Sequence, residues 1–245
     1  MTETTPHLAP VVVLLFLGAV FVTAVSLLVL LYGWVRRSKP YAGMGGGAAA
    51  VVVSCYVLLL CGVSLASREK VLPVGGWKYF CEIDCHIGYS VSGVATTGGI
   101  GPEMQQTTAR AQFVVVRLKV WFDEHTISPN RGGGPLTPNR RRVVLEDANG
   151  RAYVQSPDAE AELLRVTGEA RSLSEPLRPG QSFGTDLVFD VPKDASGLRL
   201  LITEDDPETA LIIGHENSLW HRKIYLGLDS APRITREISP LTPGH

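Results

Sequence analysis

Two long apolar stretches near the start of the chain constrain its fold more than any other feature. Residues 11–34 form a run of 24 residues without a charged side chain. At about 1.5 Å per residue, a helix of that length crosses the roughly 30 Å hydrocarbon core of a bilayer. Residues 40–67 are also free of charge, with an apolar body at 48–66. The sequence therefore predicts a two-helix transmembrane hairpin over residues 1–67, with spans at about 11–34 and 46–66.

The first stretch differs from a cleaved signal peptide. Residues 1–10 contain no Lys or Arg, and the apolar run is longer than the roughly 7–15 residues of a signal-peptide core. We therefore expect it to be retained as a membrane helix. The second stretch begins with small residues at 43–50, which allow two helices to approach closely.

Basic residues flank both ends of the second stretch. Arg36, Arg37 and Lys39 precede it, and Arg68 and Lys70 follow it, with a further lysine at position 78. The counts are equal, but the tight cluster before the stretch and the uncharged N-terminus favour a cytoplasmic loop between the helices. The prediction is a multi-pass protein of the cell membrane whose C-terminal domain lies outside the cytoplasm.

The remainder of the chain has the patterns of β-strands. Apolar residues alternate with other residues after position 112, which is typical of a half-buried strand. Residues 126–140 form a loop rich in Pro and Gly, and Asn149-Gly150 favours a tight hairpin. Ser156-Pro157 is typical of the start of a short helix. Further strand patterns cover residues 183–191, 198–202, 211–213 and 224–228.

These patterns predict an all-β soluble domain, an antiparallel immunoglobulin-like sandwich over residues 112–230. Residues 68–111 are assigned to a juxtamembrane segment, and residues 231–245 to a flexible tail.

Three of these motifs resemble a known protein family. They are the strand at 113–122, the hairpin Asp147-Ala-Asn-Gly-Arg-Ala-Tyr153, and Leu177-Arg-Pro-Gly180 followed by Leu187-Val-Phe-Asp-Val-Pro192. They are similar to a large family of exported bacterial immunoglobulin-like domains of uncharacterised function, related to the immunoprotective extracellular protein fold. The resemblance implies an exported β-sandwich that commonly follows a membrane or lipid anchor. It implies no catalytic residues.

Cys81, Cys85 and His86 form the motif whose side chains are best suited to disulfide formation or metal binding. The two cysteines could form a disulfide in an oxidising compartment, but only if the chain turns between them, because strand residues four apart lie about 13 Å from each other. Alternatively, two thiolates and an imidazole suit copper or zinc. A fourth ligand could then come from His125, His215, His221 or Met104. An apolar-in, polar-out strand without a ligand is also consistent with the motif.

Two further resemblances of this motif are incomplete. A two-helix anchor before a β-domain resembles the second subunit of haem–copper oxidases, but there the Cys-x3-Cys pair lies late in the domain. Covalent haem attachment uses Cys-x2-Cys-His, and the spacing here is one residue longer.

Composition and motifs together favour a binding protein over an enzyme. The chain has 23 basic and 24 acidic residues, so it lacks the basic excess of a nucleic-acid-binding protein. We expect a binding or assembly module of the cell envelope, without a cofactor, whose partners are the membrane and other envelope proteins. The alternative is a copper- or zinc-binding or electron-transfer accessory protein that uses Cys81, Cys85 and His86.

Overall fold

The computed structural model describes residues 9–82, 85–101, 107–168 and 171–234. The chain divides into two compact units. The first unit combines Met1–Arg68 with Asp206–Lys223, and the second combines Glu69–Asp205 with Ile224–His245.

Two helices form most of the first unit. Helix α1 covers Ala9–Val35 and helix α2 covers Lys39–Ala66. Both are long and apolar enough to cross a membrane. Helix α2 begins at Lys39, before the predicted span that starts at about residue 46. Pro40 lies in its first turn, where the missing N–H would have no partner within the helix, so the proline is compatible with this start. The two predicted apolar helices are confirmed.

The helices pack closely where the sequence has small residues. A Cβ atom on Gly45 would lie 2.5 Å from the carbonyl oxygen of Ser26 and 2.4 Å from the backbone nitrogen of Leu30. Ser26 and Ala49 are buried at this contact. Glycine at position 45 therefore permits the two backbones to approach, as the sequence indicates.

Two β-sheets form the core of the second unit. The five-stranded sheet has the order β1, β9, β8, β5, β6, and the four-stranded sheet has the order β2, β3, β4, β7. The strands of the first sheet are β1 (Lys70–Leu72), β5 (Arg141–Glu146), β6 (Ala152–Val154), β8 (Arg199–Glu204) and β9 (Ile224–Gly227). Those of the second are β2 (Lys78–Cys81), β3 (His86–Ile100), β4 (Thr107–Asp123) and β7 (Ser182–Val191), and helix α3 covers Pro157–Thr167.

The predicted all-β sandwich is confirmed, with several differences. Strands β1 and β9 pair in parallel, whereas the sequence predicts an antiparallel sandwich throughout. The sheets begin at Lys70, so residues 68–111, predicted to be a separate segment, contribute strands β1, β2 and β3. Their alternation is weak because β3 is rich in Gly, Ser and Thr.

Two predictions near the end of the chain also differ from the structure. Residues 211–213 are not a strand, because Pro207–Leu211 forms a 3-10 helix. Residues 232–234, predicted to belong to a flexible tail, pair with β3, where Arg233 bridges Val94. Residues 235–245 lie outside the described part of the chain.

Alternation along the strands places one face of each sheet in a shared apolar core. On β4 the inward side chains are those that the sequence predicts: Val114, Val116, Leu118, Val120 and Phe122. The core also includes Phe80, Tyr89, Leu145, Phe189, Leu200, Ile202 and Leu226, each at most 1% exposed.

Charged side chains occupy one part of this core. Arg141 forms an ion pair with Glu82 and lies 3.9 Å from Glu204, and the side chains of Arg141 and Glu82 are 0% and 3% exposed. The guanidinium of Arg141 lies 4.4 Å from the centre of the Phe80 ring. Burial raises the pKa of Glu82, and the charge of Arg141 opposes that shift. Opposite charges in contact make the burial of these groups tolerable.

Lys78 connects the two sheets. It is 1% exposed, and its Nζ donates to the carbonyl oxygens of Ile202 at 2.6 Å and Ile224 at 2.7 Å. The pairing of β8 with β9 ends one position earlier, at Leu201 and Tyr225. The ammonium group therefore satisfies two carbonyl groups at the point where β8 and β9 separate.

We expect Lys78→Met to destabilise the sandwich. The substitution keeps an apolar side chain of similar length but leaves two buried carbonyl oxygens without this donor, which costs about 3 kcal/mol. Urea denaturation of the full chain in detergent, followed by near-ultraviolet circular dichroism, measures the change. Lys193→Met is the control, because Lys193 is exposed and its loss should change the free energy of unfolding by less than about 0.5 kcal/mol. Equal unfolding midpoints for the two variants would contradict the role of Lys78.

Candidate functional site on the four-stranded sheet

The predicted cysteine and histidine residues lie at the turn between β2 and β3. Cys81 ends β2, His86 begins β3, and the backbone N–H of Glu82 donates to the carbonyl oxygen of Cys85 at 2.8 Å. Residues 83 and 84 lie outside the described part of the chain. The chain thus reverses between the two cysteines, as a disulfide between them would require.

The two cysteines occupy different environments. Cys85 is 1% exposed and belongs to the apolar core. Cys81 is half-buried and follows Phe80, which points into the core, so Cys81 lies on the outer face of the sheet. Both are thiols in the structure. The disulfide and the metal site of Cys81, Cys85 and His86 stay predictions.

Strand register places Cys81, His86 and Asp123 in one row across three strands. Cys81 pairs with His86 on β2 and β3, and His86 pairs with Asp123 on β3 and β4. Directly opposed residues have Cβ atoms about 5 Å apart on the same face of the sheet. A thiol, an imidazole and a carboxylate are therefore neighbours at this corner, which we call the Cys–His–Asp row.

The imidazole in this row is incompletely satisfied. Within the described residues, Nδ1 of His86 is buried and has no hydrogen-bond partner. Burial lowers the pKa of His86, and the charge of Asp123 partly opposes that shift. This shift favours the neutral imidazole, which is the form that binds a metal ion.

Of the four residues predicted as a further metal ligand, the structure places one, His125, beside the Cys–His–Asp row. The Nδ1 atom of His125 lies 3.1 Å from Oδ1 of Asp123. Among the described residues, Asp123, Glu124 and His125 are the one group of three potential ligands whose atoms lie within 4.8 Å of one another. His215 and His221 belong to the first unit, and Met104 lies outside the described residues.

Three aromatic side chains lie beside the row, and no sequence motif brings all three together. The ring centres of Trp77 and Trp121 are 5.3 Å apart, and each lies 6.5 Å from that of Tyr79. Nζ of the exposed Lys119 lies 5.7 Å from the centre of the Trp77 ring. We call these four residues the aromatic surface. Its only signal in the sequence is the spacing of Trp77 and Tyr79, which share one face of a strand.

Gly88 makes room for the aromatic surface. It pairs with Tyr79 on one side and Trp121 on the other. A Cβ atom at this position would lie 2.9 Å from Cε3 of Trp77 and 3.1 Å from Cε1 of Tyr79. Absence of a side chain at position 88 therefore leaves the space that the rings of Trp77 and Tyr79 occupy.

The outer faces of the sandwich differ in character. On the five-stranded sheet, a guanidinium nitrogen of Arg199 lies 2.5 Å from a carboxylate oxygen of Glu69. The guanidinium carbon of Arg199 lies 3.8 Å from the centre of the Tyr225 ring. On the four-stranded sheet, Ala159 and Leu163 of α3 cover one end by packing on Phe113, Val115 and Val188. The aromatic surface and the Cys–His–Asp row lie at the other end of that sheet.

The fold and its outer surfaces define a β-sandwich domain. The family model for a domain of unknown function, DUF4352, matches residues 84–210. Because the match covers more than half of the chain, the chain belongs to this family. The predicted membership of an uncharacterised immunoglobulin-like family is confirmed. A search of curated proteins found no significant match.

Several solved structures are similar to the chain. A conserved hypothetical protein from Bacillus anthracis has 19% identity and a TM-score of 0.39, with 51% of this chain and 86% of that chain covered. The secreted protein MPT63 from Mycobacterium tuberculosis has 12% identity and a TM-score of 0.38, with 66% and 97% covered. An uncharacterised β-sandwich protein from Clostridium difficile has 11% identity and a TM-score of 0.37, with 66% and 95% covered.

We expect Gly88→Ala to disturb the aromatic surface specifically. The added methyl group displaces the rings of Trp77 and Tyr79, which changes tryptophan fluorescence and near-ultraviolet circular dichroism. Destabilisation should stay near 1–2 kcal/mol, because the contact lies outside the core. Gly184→Ala on β7 is the control, since its Cβ would meet no atom closer than 3.9 Å. Identical spectra for both variants would contradict the arrangement.

Proposed function

We propose that this chain is a membrane-anchored protein that acts by binding, and that it holds its β-sandwich outside the cytoplasm. The two apolar helices support the anchor. The basic residues Arg36, Arg37 and Lys39 around the turn between the helices favour a cytoplasmic position for that turn. With this orientation the sandwich is available to other components of the cell envelope.

The aromatic surface is the observation that supports a binding role. Tryptophan and tyrosine contribute most strongly to protein–protein interfaces, because they bury a large area at low cost in conformational entropy. Trp77, Tyr79 and Trp121 are half-buried, so their remaining area is available for a partner. Lys119 beside them supplies a positive charge at the rim.

The partner that we propose is another protein of the envelope. An aromatic centre with a charged rim is the usual composition of a protein interface. The chain carries almost no net charge, at −1, which argues against nucleic acid as the ligand. The mode of action is recruitment or assembly of a partner, without a chemical step.

Photocrosslinking in intact cells tests this function. Lys119 is replaced by p-benzoylphenylalanine in the full chain, and we expect a covalent adduct with one envelope protein after irradiation. Adding Trp77→Ala should lower the adduct yield about tenfold or more, because an interface tryptophan contributes 2 kcal/mol or more to binding.

The matched control for this experiment is Val154→Ala. Val154 is 70% exposed on the edge strand β6, so its truncation should leave the adduct yield unchanged. Equal yields for Trp77→Ala and the parent protein, or no adduct from position 119, would overturn the proposed binding surface.

A second candidate function is the binding of copper or zinc by the Cys–His–Asp row. The unpaired Nδ1 atom of His86 favours it, because a buried nitrogen without a partner is available for a metal bond. Cys81 and His86 carry the thiolate and imidazole that these metals prefer, and Asp123 carries a carboxylate. Their ligand atoms do not all lie within 4.8 Å of one another, so a bound ion would have to draw the three side chains together. Cys85 belongs to the core and does not take part in this version of the site.

Metal analysis of the full chain separates this function from the first. After loading with Zn²⁺ or Cu²⁺ and removal of excess metal, Cys81→Ser and His86→Ala should each weaken retention about tenfold or more. Cys85→Ser is the matched control and should retain the metal. Absence of bound metal in the parent protein, or equal losses for Cys81→Ser and Cys85→Ser, would exclude the site as described.

A further inference from the structure

The segment Asp206–Lys223, which joins β8 to β9, belongs to the same compact unit as the two apolar helices. We call it the β8–β9 segment. It contains the 3-10 helix Pro207–Leu211 and then a series of turns. Neither the family match, which ends at residue 210, nor the proposed binding surface accounts for it.

Three contacts fix the β8–β9 segment along helix α2. The hydroxyl of Tyr56 donates to the carbonyl oxygen of Leu211 at 2.7 Å, and the backbone N–H of Arg222 donates to Oγ of Ser67 at 2.8 Å. Between them, Gly214 approaches Val63, whose Cγ1 atom would lie 3.7 Å from a Cβ on the glycine. Tyr56 and Ser67 are separated by roughly 16 Å along the helix. The segment therefore follows the last three turns of α2.

Helix α2 exposes apolar side chains over this same length. Val57, Leu58, Leu59, Val63 and Leu65 are between 41% and 72% exposed. In a membrane-anchored protein such side chains face lipid. The end of the segment that is fixed to Ser67 lies beside the last residue of α2, so it shares the depth of Leu65 at the edge of the apolar span.

The composition of the β8–β9 segment suits that position. Leu211, Leu219 and Trp220 expose 51%, 59% and 60% of their surfaces. Trp220 also has a φ of 63°, a left-handed conformation that is rare for a bulky residue. The polar residues between them are buried: His215, Glu216 and Ser218 are each at most 3% exposed, whereas Asp206, Glu208 and Arg222 toward the two ends of the segment are exposed. Between Leu211 and Trp220 the exposed side chains are therefore apolar and the polar ones are mostly buried, the reverse of a segment that faces water.

Internal hydrogen bonds satisfy the polar groups of the segment. Nδ1 of His215 accepts from the backbone N–H of Asn217 at 3.0 Å, and the Asn217 side chain donates to Oγ1 of Thr209 at 2.9 Å. The hydroxyl of Ser218 donates to the carbonyl oxygen of Ile212 at 2.5 Å. Satisfied polar groups lower the cost of placing an irregular segment at the depth of the lipid headgroups.

We propose that the β8–β9 segment is a third membrane-contacting element, which inserts Leu219 and Trp220, near its contact with Ser67, into the headgroup and upper acyl region of the bilayer. Tryptophan is enriched at this depth because its ring is apolar and its N–H is polar. The segment extends the lipid-facing surface of α2. This inference rests on the membrane anchor of the proposed function, and it is independent of the aromatic surface.

Quenching of tryptophan fluorescence by brominated phospholipids tests the insertion. The full chain is reconstituted in lipid nanodiscs with or without bromine on the upper acyl chain. Trp220→Phe should lower the lipid-quenchable part of the fluorescence by about half, because Trp34 and Trp220 are the two tryptophans in the unit that contains the membrane helices. Trp34→Phe, at the end of α1, is the matched control and should cause a similar loss.

Aqueous iodide provides the complementary measurement. If Trp220→Phe removes iodide-quenchable fluorescence and no lipid-quenchable fluorescence, the segment faces water and the proposal is wrong. Loss of signal that neither quencher reaches would indicate a second protein copy on this patch and would also overturn it. If Trp34→Phe leaves lipid quenching unchanged, the anchor itself fails, so the two failures are distinguishable.

Discussion

The contact of Lys78 with two carbonyl groups is the constraint on which the rest of the structure depends. Its ammonium bonds Ile202 and Ile224 at the point where β8 and β9 separate, and it reaches them from the other sheet. Without a donor there, two buried carbonyl oxygens would remain unsatisfied, at a cost comparable to a large part of a domain's stability. One side chain thus joins the two sheets, next to the last paired residues of β8 and β9.

Alternation along β2 decides which of its side chains lie on the outer face of the sheet. Lys78, Phe80 and Glu82 point into the core, so Tyr79 and Cys81 must point outward. Because β2 pairs with β3 in antiparallel register, each outward residue meets a specific partner: Tyr79 meets Gly88, and Cys81 meets His86. Packing of the core therefore positions both the aromatic surface and the Cys–His–Asp row.

Patterns within short stretches predicted most of the fold. The two charge-free runs predicted α1 and α2, and the alternation after residue 112 predicted β4 and its inward face. Strands β1 to β3 were not recognised, because β3 contains Gly, Ser and Thr at positions where an ordinary strand has apolar residues. Pairing with β4 along almost its full length forms this strand in spite of its weak local pattern.

The sequence by itself determined the elements that depend on local periodicity, which are two apolar helices and a strand-rich domain. It also showed that Cys81 and His86 are side chains able to bind a metal ion. Only the tertiary structure decided which residues meet. It placed Asp123 beside His86, put Cys85 in the core and Cys81 on the outer face, and brought Trp121 to Trp77 and Tyr79. The physical reason is that side-chain period is a property of a few consecutive residues, whereas strand register and sheet packing depend on contacts between residues far apart in the chain.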